Sequence, residues 1–315
     1  MNPLQPLDPE TLAVLEAAAN APQTYELPIP EARAAFDANM ARSPAIQAAS
    51  LEDFEIPTPA RPVSLRLIRP TGISAPLPIL IYFHGGGWVV GGKQPHDRFA
   101  RSLAHTARAA VLFVDYSLSP EARFPIAIEQ AYAATAWAAT RDASHGLDGS
   151  RIALLGDSAG GNMAAVVTLL AQLRGGPRIR HQTLLCPVID PTFDTPSYTQ
   201  FARGYLLSRE AMQWFWRQYL PPSLPAPGKL VSPARATPGE LEGLPPALIL
   251  TAECDVLRDE GEAYAHKLTA ARVPVTSARF LGTLHNFPVH PILHRTPAAR
   301  QAMALIRAAL AEALA

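Results

Sequence analysis

The stretch Arg151-Ile152-Ala153-Leu154-Leu155-Gly156-Asp157-Ser158-Ala159-Gly160-Gly161-Asn162 decides how the chain folds. Ile152 to Leu155 reads as a short strand covered on both faces, and Asn162 to Leu173 reads as a helix. Between them a sharp turn places a serine with glycines two residues to either side. Such a turn strains the serine backbone, so only small neighbours clear it. A plain glycine-rich turn would explain the glycines but not the serine between them. Strand, turn and helix together make Ser158 the candidate nucleophile of an acyl-transfer site.

Working outward, the same alternation recurs. Val63, Leu65 and Leu67 suggest a half-exposed early strand. Leu77 to Phe83, Ala110 to Val114, Thr183 to Leu185, Ala247 to Thr251 and Val275 to Phe280 are further strand candidates. Helical patterns lie near 96–108, 125–141, 159–173, 259–272 and 298–313. Strands alternating with helices predict an α/β fold with a mostly parallel sheet flanked by helices, and ligands beyond the carboxyl ends of the strands.

Two segments stand outside that alternation. Asp8 and Pro9 signal the start of a first helix carrying Leu12, Leu15 and Ala19, and Asn20 and Pro22 stop it. An Ala-rich stretch follows from Glu31 to Met40, then a proline-studded connector from Ile56 to Pro62. From Phe193 to Tyr219 lie eight of the chain's 23 aromatic residues (4 Trp, 8 Tyr, 11 Phe). Met212, Phe215, Trp216, Tyr219 and Leu220 form a helical stripe that packs the helix onto the body. The sharper expectation is a helical cap over the strand ends, built from residues 1–50 and 191–230. The catalytic body then comprises 51–190 and 231–315. Trp88, Phe201, Tyr205, Trp214 and Phe215 are the expected substrate-pocket residues.

Composition narrows the function. The chain has 315 residues, 48% of them hydrophobic, enough for a sizeable core. Its 27 basic residues balance 27 acidic ones, so no net charge draws it to nucleic acid or an anionic membrane. Cys186 and Cys254 sit in apolar surroundings and read as buried hydrophobes, not metal ligands. The opening MNPLQPLDPE lacks the pattern of a signal peptide, which favours a cytoplasmic protein.

His84-Gly85-Gly86-Gly87-Trp88 follows the Leu77–Phe83 strand. Three consecutive glycines carry a large entropic cost, as expected where backbone must approach a ligand closely. Gly85, Gly86 and Gly87, with the N–H of Ala159, are the expected oxyanion-hole donors. A phosphate-binding loop is the rival, but no Gly-Lys-Ser/Thr follows. His84 reads as a loop brace.

These motifs, with Asp255-Val256-Leu257-Arg258-Asp259-Glu260, Asp115-Tyr116, Ser119-Pro120-Glu121 and Phe124-Pro125, resemble the bacterial hormone-sensitive-lipase-like esterases of the α/β-hydrolase superfamily. The resemblance spans about 60–295 and implies carboxylester hydrolysis of a small-molecule substrate without a cofactor; a homodimer stays open. Order in this fold is serine, acid, histidine. Asp255, just past a strand, suits the acid by position and by resemblance, ahead of Asp190 and Asp259. His285 lies after the Val275–Phe280 strand and before the last helix, a placement that His290 and His294 lack. The family usually has His-Gly-Phe where this chain has His285-Asn286-Phe287, and asparagine tolerates left-handed backbone. Val256, Ser117 and Ser119 are further departures. A peptidase or amidase on the same fold, or a receptor without catalysis, are the alternative functions.

Overall fold

A computed structural model describes residues 7–42, 47–74, 76–224 and 226–315. The first six residues of the opening stretch, and parts of the 1–50 and 191–230 segments, lie outside the described residues. Eight strands form one sheet: β1 (Ala49–Ile56), β2 (Val63–Pro70), β3 (Leu77–Phe83), β4 (Ala110–Asp115), β5 (Leu147–Asp157), β6 (His181–Leu185), β7 (Ala247–Cys254) and β8 (Val275–Leu284). Their spatial order is β1-β2-β4-β3-β5-β6-β7-β8. The β1–β2 and β2–β4 pairs are antiparallel, and the rest of the sheet is parallel.

All seven residues of β3 are buried, as are all eight of β7. Runs of this kind suit strands sandwiched between helices, where each buried Ile, Leu or Val contributes about 1.5–3 kcal/mol. The helices are α1 (Pro9–Ala18), α2 (Ile29–Met40), α3 (Asp97–Ala107), α4 (Ile126–Ala139), α5 (Ala159–Leu173), α6 (Pro196–Gln200), α7 (Arg209–Tyr219), α8 (Pro238–Leu241), α9 (Arg258–Ala270) and α10 (Pro297–Ala313). Helix α3 packs on α10 and α4 on α5, and both pairs contact the middle strands. No described helix is long and apolar enough to cross a membrane.

Asp8 caps α1 as expected, its carboxylate accepting the Thr11 N–H at 2.7 Å. Strand β1 is additional to the strands that the sequence pattern predicts. It is an edge strand with mostly exposed, acidic residues, so no apolar periodicity marks it. Its start at Ala49 moves the beginning of the sheet just ahead of residue 51, and the Ile56–Pro62 connector becomes the β1–β2 turn.

Chain order reverses at β3, which lies between β4 and β5. A crevice opens there beyond the strand ends. The chain leaves the sheet between β6 and β7 to form α6 and α7, and α7 packs against a short turn at Thr24–Glu26. Tyr25 Oη donates to Glu210 at 2.9 Å across that contact. Helix α2 is tied separately. The Arg33 guanidinium pairs with Glu121 at 2.7 Å and donates to the carbonyls of Val89 and Ser119.

Candidate active site

Ser158 stands between β5 and α5 with φ 56° and ψ −119°, a strained conformation for a non-glycine residue. The flanking glycines have no substitutes. A Cβ on Gly156 would lie 2.0 Å from the Gly160 carbonyl oxygen, and one on Gly160 would lie 1.9 Å from that of Phe83. The turn is therefore clamped between its own helix and the end of β3.

His285 follows β8 and Asp255 follows β7, so their side chains meet Ser158 above the parallel strand ends. The imidazole Nε2 is 3.0 Å from Ser158 Oγ, and Nδ1 is 2.7 Å from Asp255 Oδ2. With Nδ1–H donating to the carboxylate, Nε2 is left to accept the serine proton. Asp255 is 1% exposed, and its Oδ1 accepts the Leu257 N–H at 3.0 Å. Asp190 and Asp259 are committed elsewhere. Asp190 accepts from Ser232 at 2.7 Å, and Asp259 accepts the Ser197 N–H at 2.7 Å, anchoring α6.

The glycine loop leaves β3 beside this line. Gly86 and Gly87 adopt φ of 105° and 59°, which favour glycine. A Cβ on Gly87 would meet the Phe215 ring at 2.1 Å, so α7 lies directly on the loop. Among the described residues the N–H groups of Gly86, Gly87 and Ala159 have no acceptor. Ala159 also opens α5, whose dipole favours negative charge. Gly85 differs from the expectation. Its N–H faces the Asp157 carboxyl, and a Cβ there would strike Asp157 Oδ2 at 2.3 Å. Gly85 thus provides clearance, leaving Gly86, Gly87 and Ala159 as the open donors.

His84 braces the loop, its ring stacked on Tyr116 at 4.3 Å and on Phe113 at 5.5 Å. Burial holds that ring neutral, well below the usual histidine range. Tyr116 Oη donates to the His84 carbonyl at 2.9 Å, which gives the Asp115-Tyr116 motif a structural task.

A cavity of about 250 Å³ reaches Ser158 and His285. Phe36, Met40, Val90, Leu207, Met212 and Phe215 form much of its wall. Four of the five expected pocket aromatics lie elsewhere. Trp88 is fully buried beneath α7, stacked on Tyr219 at 4.0 Å. Phe201 packs edge-on to Tyr205 at 5.1 Å, with the Arg258 guanidinium over its ring. Trp214 is the helical neighbour of Phe215 and points away from the cavity face, since consecutive residues diverge by about 100°. The aromatic stripe serves mainly to seat α7, and Phe215 and Met212 carry it into the cavity. Met212 was legible from its i, i+3 spacing to Phe215. Phe36 and Met40 were not, because α2 reaches the site only through the tertiary fold.

Among the described residues, Cys186, Asp255 and His285 are a cluster able to offer metal ligands. The 2.7 Å Asp255–His285 hydrogen bond is shorter than the spacing of more than about 3 Å between two ligands of one zinc ion. Burial also pushes the Cys186 thiol up, favouring its neutral form. The cluster fits a hydrogen-bonded pair backed by a buried thiol.

Comparison with known proteins agrees with this architecture. Residues 80–289 match a family model described as alpha/beta hydrolase fold. The carboxylesterase NlhH of Mycobacterium tuberculosis is 40% identical over 254 residues, covering 80% of this chain and 79% of that protein. A thermostable esterase from Pseudomonas putida superposes with TM-score 0.94 at 41% identity, covering 98% of each chain. A hyperthermophilic esterase from Pyrobaculum calidifontis gives TM-score 0.89 at 36% identity, covering 98% of this chain and 99% of that one. The chain belongs to the hormone-sensitive-lipase-like esterases of the α/β-hydrolase family and is a carboxylic ester hydrolase.

Proposed function

We propose that the enzyme hydrolyses short- to medium-chain carboxylic esters through an acyl-enzyme on Ser158. The observation that carries this reading is the unbroken line from Asp255 to His285 to Ser158 at the cavity wall, with hydrogen bonds of 2.7 and 3.0 Å. His285 Nε2 takes the Ser158 hydroxyl proton as Oγ attacks the ester carbonyl carbon. The resulting oxyanion is held by the N–H groups of Gly86, Gly87 and Ala159, each such donor contributing about 2.7–4 kcal/mol in comparable sites. Asp255 keeps the imidazole in its tautomer and stabilises the cation.

As the carbonyl re-forms, the C–O bond to the alcohol breaks and the imidazolium protonates the departing oxygen. Water then attacks the acyl-enzyme with His285 as base, releasing the acid and restoring Ser158. The N-terminal helices and the 191–230 excursion act as the cap. They supply Phe36 and Met40 on one side and Met212 and Phe215 on the other.

Phe36, Met40, Met212 and Phe215 wall the cavity of about 250 Å³ beside Ser158, which favours small esters. A p-nitrophenyl ester series from acetate to palmitate tests this. The expected kcat/KM maximum falls below ten carbons, and a maximum at twelve or more would contradict the cap-limited pocket.

A further inference from the structure

Asp157, the residue before the nucleophile, has no role in the steps above. It is fully buried, and burial pushes its carboxyl upward. Donors offset that cost. Tyr82 Oη donates to Oδ1 at 2.6 Å and Asn286 Nδ2 to Oδ2 at 2.7 Å, while the Gly85 N–H faces the same carboxyl. These contacts join β3, β5 and the loop after β8 at one point.

Asn286 stands where the family pattern has glycine, which has no side chain to make such a tie. Its φ of 54° is one that glycine adopts without strain and that most other residues avoid. Asparagine tolerates it better, yet the position still favours glycine on backbone grounds. What the side chain adds is the bond to Asp157. The missing Cβ at Gly85 leaves room for it, since a carbon there would lie 3.1 Å from Asn286 Nδ2.

The position of the tie matters. His285 follows β8, an edge strand with one neighbour, and the β7–β8 register shifts between Ala252 and Cys254, just before the loop. Ser158 follows β5, with β6 and β7 in between. The base is therefore carried by the parallel strand at the sheet edge and must meet a nucleophile rooted in the centre of the sheet. Asp255 fixes the imidazole at Nδ1, but it does not fix the loop to the Ser158 turn.

We infer that Asn286 is a positioning residue: its amide ties the His285 loop to Asp157, holding base, nucleophile turn and glycine loop as one unit. This rests on the reading of Ser158 and His285 as nucleophile and base. A misplacement of 1 Å between reacting groups costs about 10²-fold in rate, which sets the scale of the effect.

Asn286→Gly tests it, because glycine keeps the backbone conformation and removes the amide alone. The expected result is a fall in kcat of about 10- to 100-fold on p-nitrophenyl butyrate, with KM changed less than about threefold and a cooperative melt retained. Asp157→Asn and the double variant complete a cycle. The double variant is expected to be no slower than the slower single variant within about threefold, since both break one link. If Asp157→Asn does not fold, Asn286→Gly decides alone through its split between kcat and KM. Wild-type kcat in Asn286→Gly, a loss expressed only in KM, or multiplicative losses in the cycle would each overturn the inference. Ser158→Ala run alongside separates the two readings. Turnover there within tenfold of wild type overturns the triad itself, whereas a Ser158→Ala slowed by about 10⁴-fold or more beside an unaffected Asn286→Gly overturns only the positioning role.

Discussion

Asp255→Asn is expected to lower kcat about 10⁴-fold while leaving KM within a few fold, the loss known for the equivalent change in a serine protease triad. An asparagine amide can present N–H to His285 Nδ1, which drives the ring proton to Nε2. That nitrogen, 3.0 Å from Ser158 Oγ, can then no longer accept the serine proton. The defect lies in the tautomer, so the cavity and its substrate affinity persist. Asp190→Asn and Asp259→Asn serve as matched controls. Those carboxylates bind Ser232 and the Ser197 N–H, so activity within about tenfold of wild type is expected for both. Steady-state kinetics on one nitrophenyl ester reads all three. Activity in Asp255→Asn within tenfold of wild type would remove Asp255 from the triad.

Gly160→Ala adds one carbon and is expected to abolish activity and destabilise the fold by about 3 kcal/mol or more, the upper range for overpacking a close-packed site. The new Cβ would lie 1.9 Å from the Phe83 carbonyl oxygen and 2.7 Å from that of His84. Both atoms are backbone at the root of the glycine loop, so no flexible side chain can yield. Either α5 retreats, carrying Ser158 away from His285, or β3 shifts and displaces Gly86 and Gly87. Gly239→Ala is the counterpart, since nothing lies within 4 Å of a Cβ there and the residue sits within α8. It is expected to be neutral or slightly stabilising, as alanine has the higher helix propensity. Thermal or urea unfolding with ester turnover compares the pair. An active, wild-type-stable Gly160→Ala would contradict the steric account of the motif.

The legible parts of this molecule were those written locally. The turn at Ser158 announces itself because strand, glycines and helix follow one another in sequence. Asp255 and His285 carry a readable signal because each follows a strand in the sequence, and for Asp255 because its motif also resembles that of the family. Strand β1 escaped because an edge strand with exposed acidic residues has no periodic apolar face. The cavity wall escaped in part for a different reason. Phe36 and Met40 enter it from a helix more than a hundred residues before Ser158, and no local pattern encodes that meeting. Trp88, by contrast, looked like a pocket residue because it adjoins the glycine loop, yet its indole is spent seating α7 through Tyr219. Asp157 and Asn286 carried a faint signal, the departure of Asn286 from glycine, whose meaning depends on a contact 129 residues apart.

The most direct test of the account is p-nitrophenyl butyrate hydrolysis by wild type and by Ser158→Ala with a matching melting curve. Loss of the nucleophile is expected to remove at least about 10⁴-fold of kcat, because members of a triad act as a unit. Turnover by Ser158→Ala within tenfold of wild type would contradict an acyl-enzyme on Ser158 and with it the proposed mechanism.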